Sequence, residues 1–416
     1  MSKIKTFAVI DLKAFYSFVE CVERGLDPWS TPLLVVDKDR GKNTIVLSVS
    51  PYLKGKGIPS RCRLKELPSG IDYVYAVPRM SLYIQKSMEV ISILLEFVSE
   101  EDLHIYSIDE AFLDLTTYLN YYKLDPVSLV EKILERIKEK TGLCATAGIG
   151  ENMFLSKIAL DVYAKKAKNN ISTMSVKDIP DKLWTITPLT KVWGIGDRIE
   201  AHLKKLGIDN MHSLAHANRE FMKKHFGIMG EQLLDLANGI DNTDIREIYI
   251  PKDKTLSIGQ TLMKDYSKKE VITVIREMVD DLSSRLRKEN RLTTLVGLSI
   301  IYSSNKGGFA RQMSLLKSTD DGDTLFNAIM EIFDKNINDK PIRGVRVSFG
   351  KLKSNKNIEQ LDLFENINLD INKKMLNQII DELHSRFGND SVLRASSLLE
   401  NSTIKQRHSQ IGGHKK

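Results

Sequence analysis

Two adjacent acids, Asp109 and Glu110, interrupt a run that otherwise has the composition of a β-strand. The run is YSIDEAFLDLT (106–116), and most of its other residues are apolar or aromatic. Strands disfavour Asp and Glu, and burying a charge without a partner is costly. The pair is therefore either exposed on an edge strand or held at a strand end to bind something positive. Taken alone, the pair favours the first interpretation.

A third acid changes this balance. Asp11 ends the apolar run TFAVID (6–11) and precedes a segment with helical spacing at 15–25. Because Asp11 lies 98 positions before Asp109, the three acids can meet only if two strands lie side by side. Such a cluster would suit Mg²⁺, which prefers oxygen ligands, and two ions about 4 Å apart can serve a phosphoryl transfer. Since neighbouring acids repel, at least one pKa should rise without metal.

The order of apolar patterns predicts an α+β multidomain chain. Strand and helix patterns alternate up to residue 176, and their hairpins favour an antiparallel or mixed sheet with helices on one face. Residues 177–247 have helical patterns separated by glycine turns, and Pro251 with the charged KDKT indicates a linker. Strand and helix patterns return at 255–350, before a polar tail. A chain of 416 residues is also too long for one core.

Composition excludes several classes of protein. Hydrophobic residues make up 42% and charged residues 28%, which is ordinary for a soluble protein. No run of about 18 apolar residues predicts a membrane span, and the N-terminus lacks a secretory signal. The cysteines Cys21, Cys62 and Cys144 form no CxxC pair, which argues against a zinc site or disulfide framework. We therefore expect a cytoplasmic protein without membrane contact.

Positive charge is concentrated in one segment. Residues 251–357 contain 20 Lys or Arg and 13 Asp or Glu, a net charge of +7, while the whole chain also sums to +7. A basic surface of this kind suggests a polyanion partner such as nucleic acid. A solvated lysine-rich surface explains the charge about equally well.

A glycine turn leads into a helical pattern in AGIGENMFLSKIALD (147–161). Lys157 lies about one and a half turns into that helix. A helix start beside glycines suits phosphate binding, and a lysine supplies a point charge. The alternative is an ordinary βα turn with a surface lysine. The segment is not a Walker A loop, because GxxxxGK[ST] is absent.

A second glycine pattern, VWGIGDRIEAHLKKLGI (192–208), is typical of a helix–hairpin–helix. Gly194 and Gly196 permit a tight hairpin whose backbone N–H groups can bind a DNA phosphate without reading sequence. The segment HFGIMGEQLL (225–234) is either a degenerate second copy or a plain αα-hairpin. Both alternatives carry about equal weight for that segment.

A short apolar peptide, QLDLF (360–364), lies within the polar tail. Its apolar residues Leu361, Leu363 and Phe364 have no local partners in the sequence. Such a peptide can anchor in a pocket of a partner protein. It can also pack back on its own domain.

Together these segments resemble one family. FAVIDLKAFYSFVE, YSIDEAFLDLT, AGIGENMFLSKIALD and VWGIGDRIEAHLKKLGI, in this order, are similar to Y-family translesion DNA polymerases over about residues 5–355. Within that family the chain looks closest to Gram-positive UV-damage-repair proteins related to the UmuC and DinB groups. The QLDLF peptide resembles the motif that binds the bacterial sliding clamp.

The resemblance implies a right-hand polymerase with a mixed palm sheet, small fingers, an all-helical thumb and an α/β little finger. It divides the chain into palm (1–24 and 80–176), fingers (25–79), thumb (177–247), linker (248–254), little finger (255–357) and C-terminal tail (358–416).

The resemblance also implies roles for individual residues. Asp11, Asp109 and Glu110 match the catalytic carboxylates, which with the Leu12 carbonyl would bind two Mg²⁺ ions. The backbone around Ala14 would contact the triphosphate, Phe15 would line the sugar pocket, and Tyr16 matches the steric gate that excludes a ribose 2′-OH. Lys157 matches a triphosphate-binding lysine, and Gly194 and Gly196 would contact DNA. The clamp-binding residues would be Gln360, Leu361, Asp362, Leu363 and Phe364.

The fingers depart from the family pattern in SPYLKGKGI (50–58). Many members have a Tyr and an Arg three positions apart, where this chain has Pro51 and Lys54. Lys54 keeps the charge but lacks the bidentate guanidinium fork. Pro51 supplies no hydroxyl, so the triphosphate contacts in the fingers should differ from the family pattern.

The expected reaction is template-directed attack of a primer 3′-OH on the α-phosphate of a dNTP, with low fidelity. One alternative is a catalytically silent DNA- and clamp-binding protein that regulates other polymerases. Against it stands the complete set of three mutually repelling acids, for which a binding protein has no need. A palm-fold cyclase or metal nuclease would share the acids, but it explains neither the hairpin motif nor the clamp-like peptide.

Overall fold

The structure is a computed structural model that describes residues 5–247, 251, 254–305, 307–355 and 367–416. The chain divides into two compact units, Met1–Tyr249 and Ile250–Lys416. Over the described ranges, no helix combines the length and the apolarity needed to cross a bilayer.

The first unit contains eight strands and ten α-helices in its described residues. Its strands are β1 (Phe7–Leu12), β2 (Leu33–Val35), β3 (Ser48–Val49), β4 (Val74–Ala76), β5 (Leu103–Ile105), β6 (Glu110–Asp114), β7 (Ala145–Gly150) and β8 (Ile171–Met174). Its helices are α1 (Phe15–Glu23), α2 (Pro51–Gly55), α3 (Met80–Leu94), α4 (Tyr118–Tyr122), α5 (Pro126–Thr141), α6 (Met153–Ile158), α7 (Asp197–Lys205), α8 (Met211–Ala215), α9 (Arg219–Phe226) and α10 (Ile228–Ala237).

The main sheet of this unit has the strand order β5-β6-β1-β7-β8. Its neighbouring strands are antiparallel except for β7 and β8, which are parallel. The mixed sheet predicted from the sequence is therefore confirmed. Strand β1 lies at its centre, where Phe7 and Val9 are buried with Phe112 of β6, so a residue at the end of β1 is flanked by strands on both sides.

Helix α5 shows how closely local sequence signals can fix an element. The Asp125 side chain accepts hydrogen bonds from the N–H groups of Val127 and Ser128, and Pro126 occupies the first turn. The helix ends at Gly142, whose φ of 69° is in the left-handed region. A capping acid, an early proline and a terminal glycine are the usual start and stop signals of a helix. The sequence PVSLVEKILERIKEKTG (126–142) predicts a helix with Gly142 at its C-terminal end, and α5 matches this prediction closely.

The apolar pattern of TIVLSVS (44–50) predicts a strand, but only Ser48 and Val49 form one. Its backbone hydrogen bonds go to two separate partners. The Val46 N–H donates to the Cys62 carbonyl, and the Leu47 N–H donates to the Val35 carbonyl of β2. A single ladder cannot form when consecutive residues pair with different segments, so the regular strand is short.

The helix–hairpin–helix predicted at 192–208 has a regular α-helix only after its glycine turn. A single 3₁₀ turn, Leu189–Lys191, precedes the glycine turn in place of an amphipathic helix. Helix α7 follows, starting at Asp197 with Gly196 as its N-cap residue. Further along, α9 and α10 meet at Gly227, whose φ is 65°.

The second unit has a sheet with the strand order β11-β10-β12-β9. Its elements are β9 (Leu256–Tyr266), α11 (Lys268–Lys288), β10 (Arg291–Tyr302), β11 (Gly308–Thr319), α12 (Gly322–Asn336), β12 (Ile342–Gly350), β13 (Lys353–Ser354), α13 (Ile367–Phe387), α14 (Ile404–His408), β14 (Gln410–Ile411) and β15 (His414–Lys415). The neighbouring strands of the main sheet are antiparallel. Apolar residues of α11, α12 and this sheet form one core.

The C-terminal tail is folded onto the second unit. Asp381 of α13 forms an ion pair with Arg287 of α11, and Arg407 of α14 forms one with Asp281 of α11. Asn401 donates a hydrogen bond to the Glu270 carbonyl. The tail after residue 366 is thus attached along α11 by polar contacts.

Candidate active site

The sheet brings the first and third predicted acids opposite each other. Strands β1 and β6 are antiparallel neighbours, and their register pairs Asp11 with Glu110. The Leu12 N–H donates a 2.8 Å hydrogen bond to the Asp109 carbonyl, so the ladder continues to the residue before β6. The side-by-side strands on which the sequence argument depended are present. All three acids therefore lie at the same end of the sheet, where β1 ends and β6 begins.

Burial makes Asp11 and Glu110 harder to ionise. It is the largest cause of the raised pKa of Asp11, and the charge of Asp109 adds to the rise while Lys165 opposes it. Burial also raises the pKa of Glu110, with Lys157 opposing and Asp11 adding. Mutual repulsion and poor solvation act in the same direction here. Positive charge placed among the acids would relieve both effects.

Two lysines now supply that charge. Lys157 Nζ lies 2.6 Å from Glu110 Oε1 and 3.0 Å from Asp161 Oδ2. Lys165 Nζ lies 2.9 Å from Asp161 Oδ1 and 3.5 Å from Asp11 Oδ2. The five groups form a ladder of alternating charge, Glu110–Lys157–Asp161–Lys165–Asp11, which we call the charge ladder. Asp161 is its centre.

The lysines reach the acids because helix α6 lies very close to β7. A Cβ atom added at Gly148 would lie only 2.1 Å from the Ser156 carbonyl oxygen and 2.3 Å from the Leu160 nitrogen. Helix α6 begins at Asn152, whose side chain accepts from the Leu155 N–H. After residue 158 the chain continues as a π-helical turn, Ala159–Tyr163. That turn carries Asp161.

The turn between β1 and α1 holds a non-glycine residue in a left-handed conformation. Ala14 has φ 46° and ψ 43°, which is uncommon for a residue with a side chain. Its carbonyl accepts hydrogen bonds from the hydroxyls of Ser17 and Ser48, at 2.9 and 3.3 Å. The turn leads directly into Phe15, which is buried, and Tyr16, which is half-buried. Burial, followed by the charge of Asp109, raises the pKa of Tyr16, so its ring is near the acids.

Lys54 lies at the end of helix α2 with its side chain exposed. Desolvation by neighbouring residues is the main cause of the lowered pKa of Lys54. The charge of Lys165 adds to this fall, and the charges of Asp11 and Asp109 oppose it. Lys54 is therefore within electrostatic reach of the acids. Pro51 occupies the first turn of α2, and the ring of Tyr52 faces Lys56, whose Nζ is 5.1 Å from its centroid.

The donor set fits a hard divalent cation. Glu110 Oε1 is buried and makes no hydrogen bond of normal geometry to a described residue, although Lys157 is close to it. Carboxylate and carbonyl oxygens are the ligands that Mg²⁺ prefers. In the described part of the chain, no three acidic, imidazole or thiol side chains already surround a space for an ion. The lysines of the charge ladder pair with the acids instead.

Gly194 and Gly196 form an exposed turn at the start of α7. Gly194 has φ 92°, which a residue with a side chain rarely adopts, and Ile195 between the two glycines is buried. The buried isoleucine anchors the turn, and the exposed glycines leave its backbone accessible.

Comparison with known proteins agrees with this architecture. The family model described as the impB/mucB/samB family matches residues 10–161, and its C-terminal domain matches residues 253–363. The model described as the IMS family HHH motif matches residues 176–208. A putative UV-damage repair protein UvrX of Bacillus subtilis (strain 168) is 35% identical over 99% of this chain and 98% of its own length. The chain belongs to the Y-family of DNA polymerases.

Two further similarities support the assignment to the Y-family. DNA polymerase IV 2 of Bacillus subtilis (strain 168) is 32% identical over the full length of both chains. A solved Y-family DNA polymerase chimera of Dbh and Dpo4 has a TM-score of 0.68 at 19% identity, covering 84% of this chain and all of its own. The palm, fingers, thumb and little-finger architecture expected from the sequence is consistent with that fold.

Sequence reasoning missed two residues of the charge ladder, Asp161 and Lys165. Both follow Lys157 at intervals of four, a spacing that places side chains on one helical face. That spacing was the signal available in the sequence. The peptide Gln360, Leu361, Asp362, Leu363 and Phe364 lies outside the described residues.

Proposed function

We propose that this chain extends a DNA primer across damaged template bases. The acids where β1 ends and β6 begins would carry out the reaction. As a Y-family member it is a DNA-directed DNA polymerase of translesion synthesis and UV-damage repair. The register of Asp11 opposite Glu110 is the observation that carries the site proposal. Low fidelity belongs to the proposal, as does action in the cytoplasm at the nucleoid.

We assign the metal ligands to Asp11, Asp109, Glu110 and the Leu12 carbonyl. The register that pairs Asp11 with Glu110, together with the raised pKa values of both carboxyls, supports this assignment. Two bound Mg²⁺ ions would supply positive charge at the attacking and leaving oxygens. The protein's part is to bring four oxygen donors together at the ends of two paired strands. Metal binding would also require Lys157 and Lys165 to release Glu110 and Asp11 in part.

Nucleotide binding would use the turn after β1 and three lysines. The left-handed Ala14 turn leads directly into Phe15 and Tyr16. Tyr16 would exclude a ribose 2′-OH. Lys157 is buried between Glu110 and Asp161, whereas Lys165 and Lys54 are exposed. We therefore propose that the exposed lysines contact the triphosphate along with Lys157.

DNA would be bound without reading its sequence. The exposed backbone of Gly194 and Gly196 suits a phosphate contact, and Arg311 and Arg346 are exposed on strands β11 and β12. Contacts of this kind should weaken as salt rises, through counterion release. A bacterial sliding clamp remains the proposed partner of residues 360–364. The palm, fingers, thumb, linker, little-finger and tail boundaries given above remain proposals too.

Primer extension on a UV-damaged template tests the proposed function. Purified protein with dNTPs and Mg²⁺ should extend a primer on undamaged template. It should also extend the primer past a pyrimidine photoproduct on the matching damaged template. The control is the same reaction with a replicative polymerase, which should stop at the lesion. Failure to pass the photoproduct, with normal extension of undamaged DNA, would contradict the translesion role.

A further inference from the structure

A buried carboxylate with no part in the chemistry above lies one helical turn after Tyr16. Glu20 of α1 is fully buried, with 0% of its surface exposed. It accepts hydrogen bonds from Tyr83 Oη at 2.7 Å and from Arg79 Nε and Nη2 at 3.0 and 2.8 Å. Arg24 also forms an ion pair with it. A buried charge with this many donors is held firmly, because losing a partner would leave it uncompensated.

The side chain that binds Glu20 also touches Tyr16. Tyr83 of α3 is fully buried, and its ring centroid lies 4.7 Å from that of Tyr16, with 37° between the ring planes. Its ring also lies 6.4 Å from that of Phe15. One residue therefore has its hydroxyl on Glu20 and its ring against the two aromatic residues of the sugar pocket.

This arrangement limits how the Tyr16 ring can move. Tyr16 and Glu20 are four residues apart on α1, so they share a helical face. Burial raises the pKa of Tyr83 to about 12, so at neutral pH its hydroxyl keeps a proton to donate to Glu20. With the hydroxyl fixed, the Tyr83 ring cannot rotate away, and a ring in contact at 4.7 Å blocks rotation of Tyr16 towards α3.

We propose that Glu20 and Tyr83 are positioning residues for sugar selection. Glu20 fixes Tyr83, and Tyr83 braces the Tyr16 ring over the place of the deoxyribose, so that a 2′-OH meets a rigid obstacle. This inference rests on the proposed function, in which Tyr16 is the steric gate. It adds two residues from outside the pocket to those that set the preference for deoxynucleotides.

The test is the ratio of kcat/KM for a dNTP to kcat/KM for the matching rNTP. Tyr83→Leu should lower this ratio roughly 2- to 10-fold, which is the worth of one aromatic pair contact. Glu20→Gln and Tyr83→Phe should lower it less, because an aromatic ring remains at position 83. Its hydrogen bond to residue 20 is weakened in the first variant and lost in the second. Both constants scale with the fraction of active enzyme, so partial loss of folding leaves the ratio unchanged.

Tyr118→Phe is the matched control. The Tyr118 hydroxyl donates a 2.8 Å hydrogen bond to Asp102, a buried carboxylate that also binds an arginine, Arg246. The substitution therefore removes the same kind of hydrogen bond from a different cluster. It should leave the dNTP/rNTP ratio at the wild-type value. An equal fall in Tyr118→Phe and Tyr83→Phe would overturn the proposal.

Tyr16→Ala distinguishes failure of the brace from failure of the gate. A ratio that falls in Tyr16→Ala but stays at the wild-type value in Tyr83→Leu and Glu20→Gln would refute the brace and leave the gate intact. If Tyr16→Ala also leaves the ratio unchanged, the gate is wrong and the brace is refuted with it. A fall in Tyr83→Leu without one in Glu20→Gln would refute the role of Glu20.

Discussion

Lys157 and Lys165 share one acid, Asp161, but differ in how tightly they are held. Although burial opposes it, Glu110 and Asp161 raise the pKa of Lys157, whose side chain is only 7% exposed. Lys165 is 45% exposed, and its contact with Asp11 is long, at 3.5 Å. A phosphate entering from solvent can therefore draw Lys165 away from Asp11 more easily than it can draw Lys157 away from Glu110.

Lys165→Ala should raise the KM for dNTP roughly tenfold, because one hydrogen bond to a charged group is lost. The kcat should change less, since the acids keep their positions. Steady-state kinetics with a single dNTP would measure both constants. Lys166→Ala is the control, because Lys166 is exposed and forms no ion pair with a described residue. Equal KM values in the wild type and Lys165→Ala would contradict the role of Lys165.

At the scale of elements, the site depends on how closely α6 packs on β7. Gly148 and Gly150 leave no room for side chains, since an added Cβ would lie 2.1 and 2.4 Å from backbone atoms of the helix. The π-helical turn at Ala159–Tyr163 then changes the phase of the following residues. Such turns are often found at functional sites.

Gly148→Ala should lower the free energy of unfolding by about 3 kcal/mol, because the helix must move away from the strand. The same movement should reduce primer extension, since Lys157 and Asp161 would shift from the acids. Urea unfolding and an extension assay would measure the two effects. Gly55→Ala is the control, because an added Cβ at Gly55 meets no atom within 4 Å. Similar stability of the two variants would contradict the packing argument.

These elements also show what sequence can predict. Asp11 and Glu110 were singled out because strand patterns and acid positions are local signals, and the register of β1 and β6 then pairs them. Asp161 and Lys165 were missed although their spacing of four from Lys157 was visible, because that spacing does not show that this helical face meets the acids. The strand predicted at 44–50 was too long, because the hydrogen bonds of this segment depend on partners distant in sequence.

At the scale of the whole molecule, the tail had no predicted role after residue 364, and the structure attaches part of it to the second unit. His408 has Asp281 Oδ1 3.1 Å from Nε2 and Asp390 Oδ1 2.6 Å from Nδ1. A histidine can donate to both carboxylates only when both ring nitrogens carry protons. The hydrogen bond with Asp281 is the main cause of the raised pKa of His408, while burial opposes it. Burial acts to raise the pKa of Asp281, but His408 and Arg407 lower it overall.

The attachment of the tail should therefore depend on pH. The raised pKa of His408 means that its contribution is complete below the unfolded value of 6.5 and is lost as pH rises through the folded value. The lowered pKa of Asp281 means that its contribution is present above the unfolded value of 3.8 and is lost as pH falls through the folded value. The attachment should be strongest between these two unfolded values.

His408→Gln should remove most of the fall in stability of the second unit as pH rises from about 6 to about 8.5. Urea unfolding of the full chain at both pH values, followed by amide hydrogen exchange in α11, would measure this. Tryptophan fluorescence would not, because Trp29, Trp184 and Trp193 all lie in the first unit. His384→Gln is the control, because His384 lies in the same tail but contacts the Val392 carbonyl and not an acid. A pH dependence in His408→Gln equal to that of the wild type would contradict the assignment.

The central claim is that Asp11, Asp109 and Glu110 carry out nucleotidyl transfer. Single-turnover primer extension by Asp109→Asn and Glu110→Gln tests it most directly, with Asp114→Asn as the control. Asp114 is a buried acid on the same strand, and its carboxylate accepts from the Thr116 N–H. We predict a loss of roughly a thousandfold or more for the first two variants, with DNA binding retained, and near wild-type rates for Asp114→Asn. Wild-type extension rates in either Asp109→Asn or Glu110→Gln would contradict the claim.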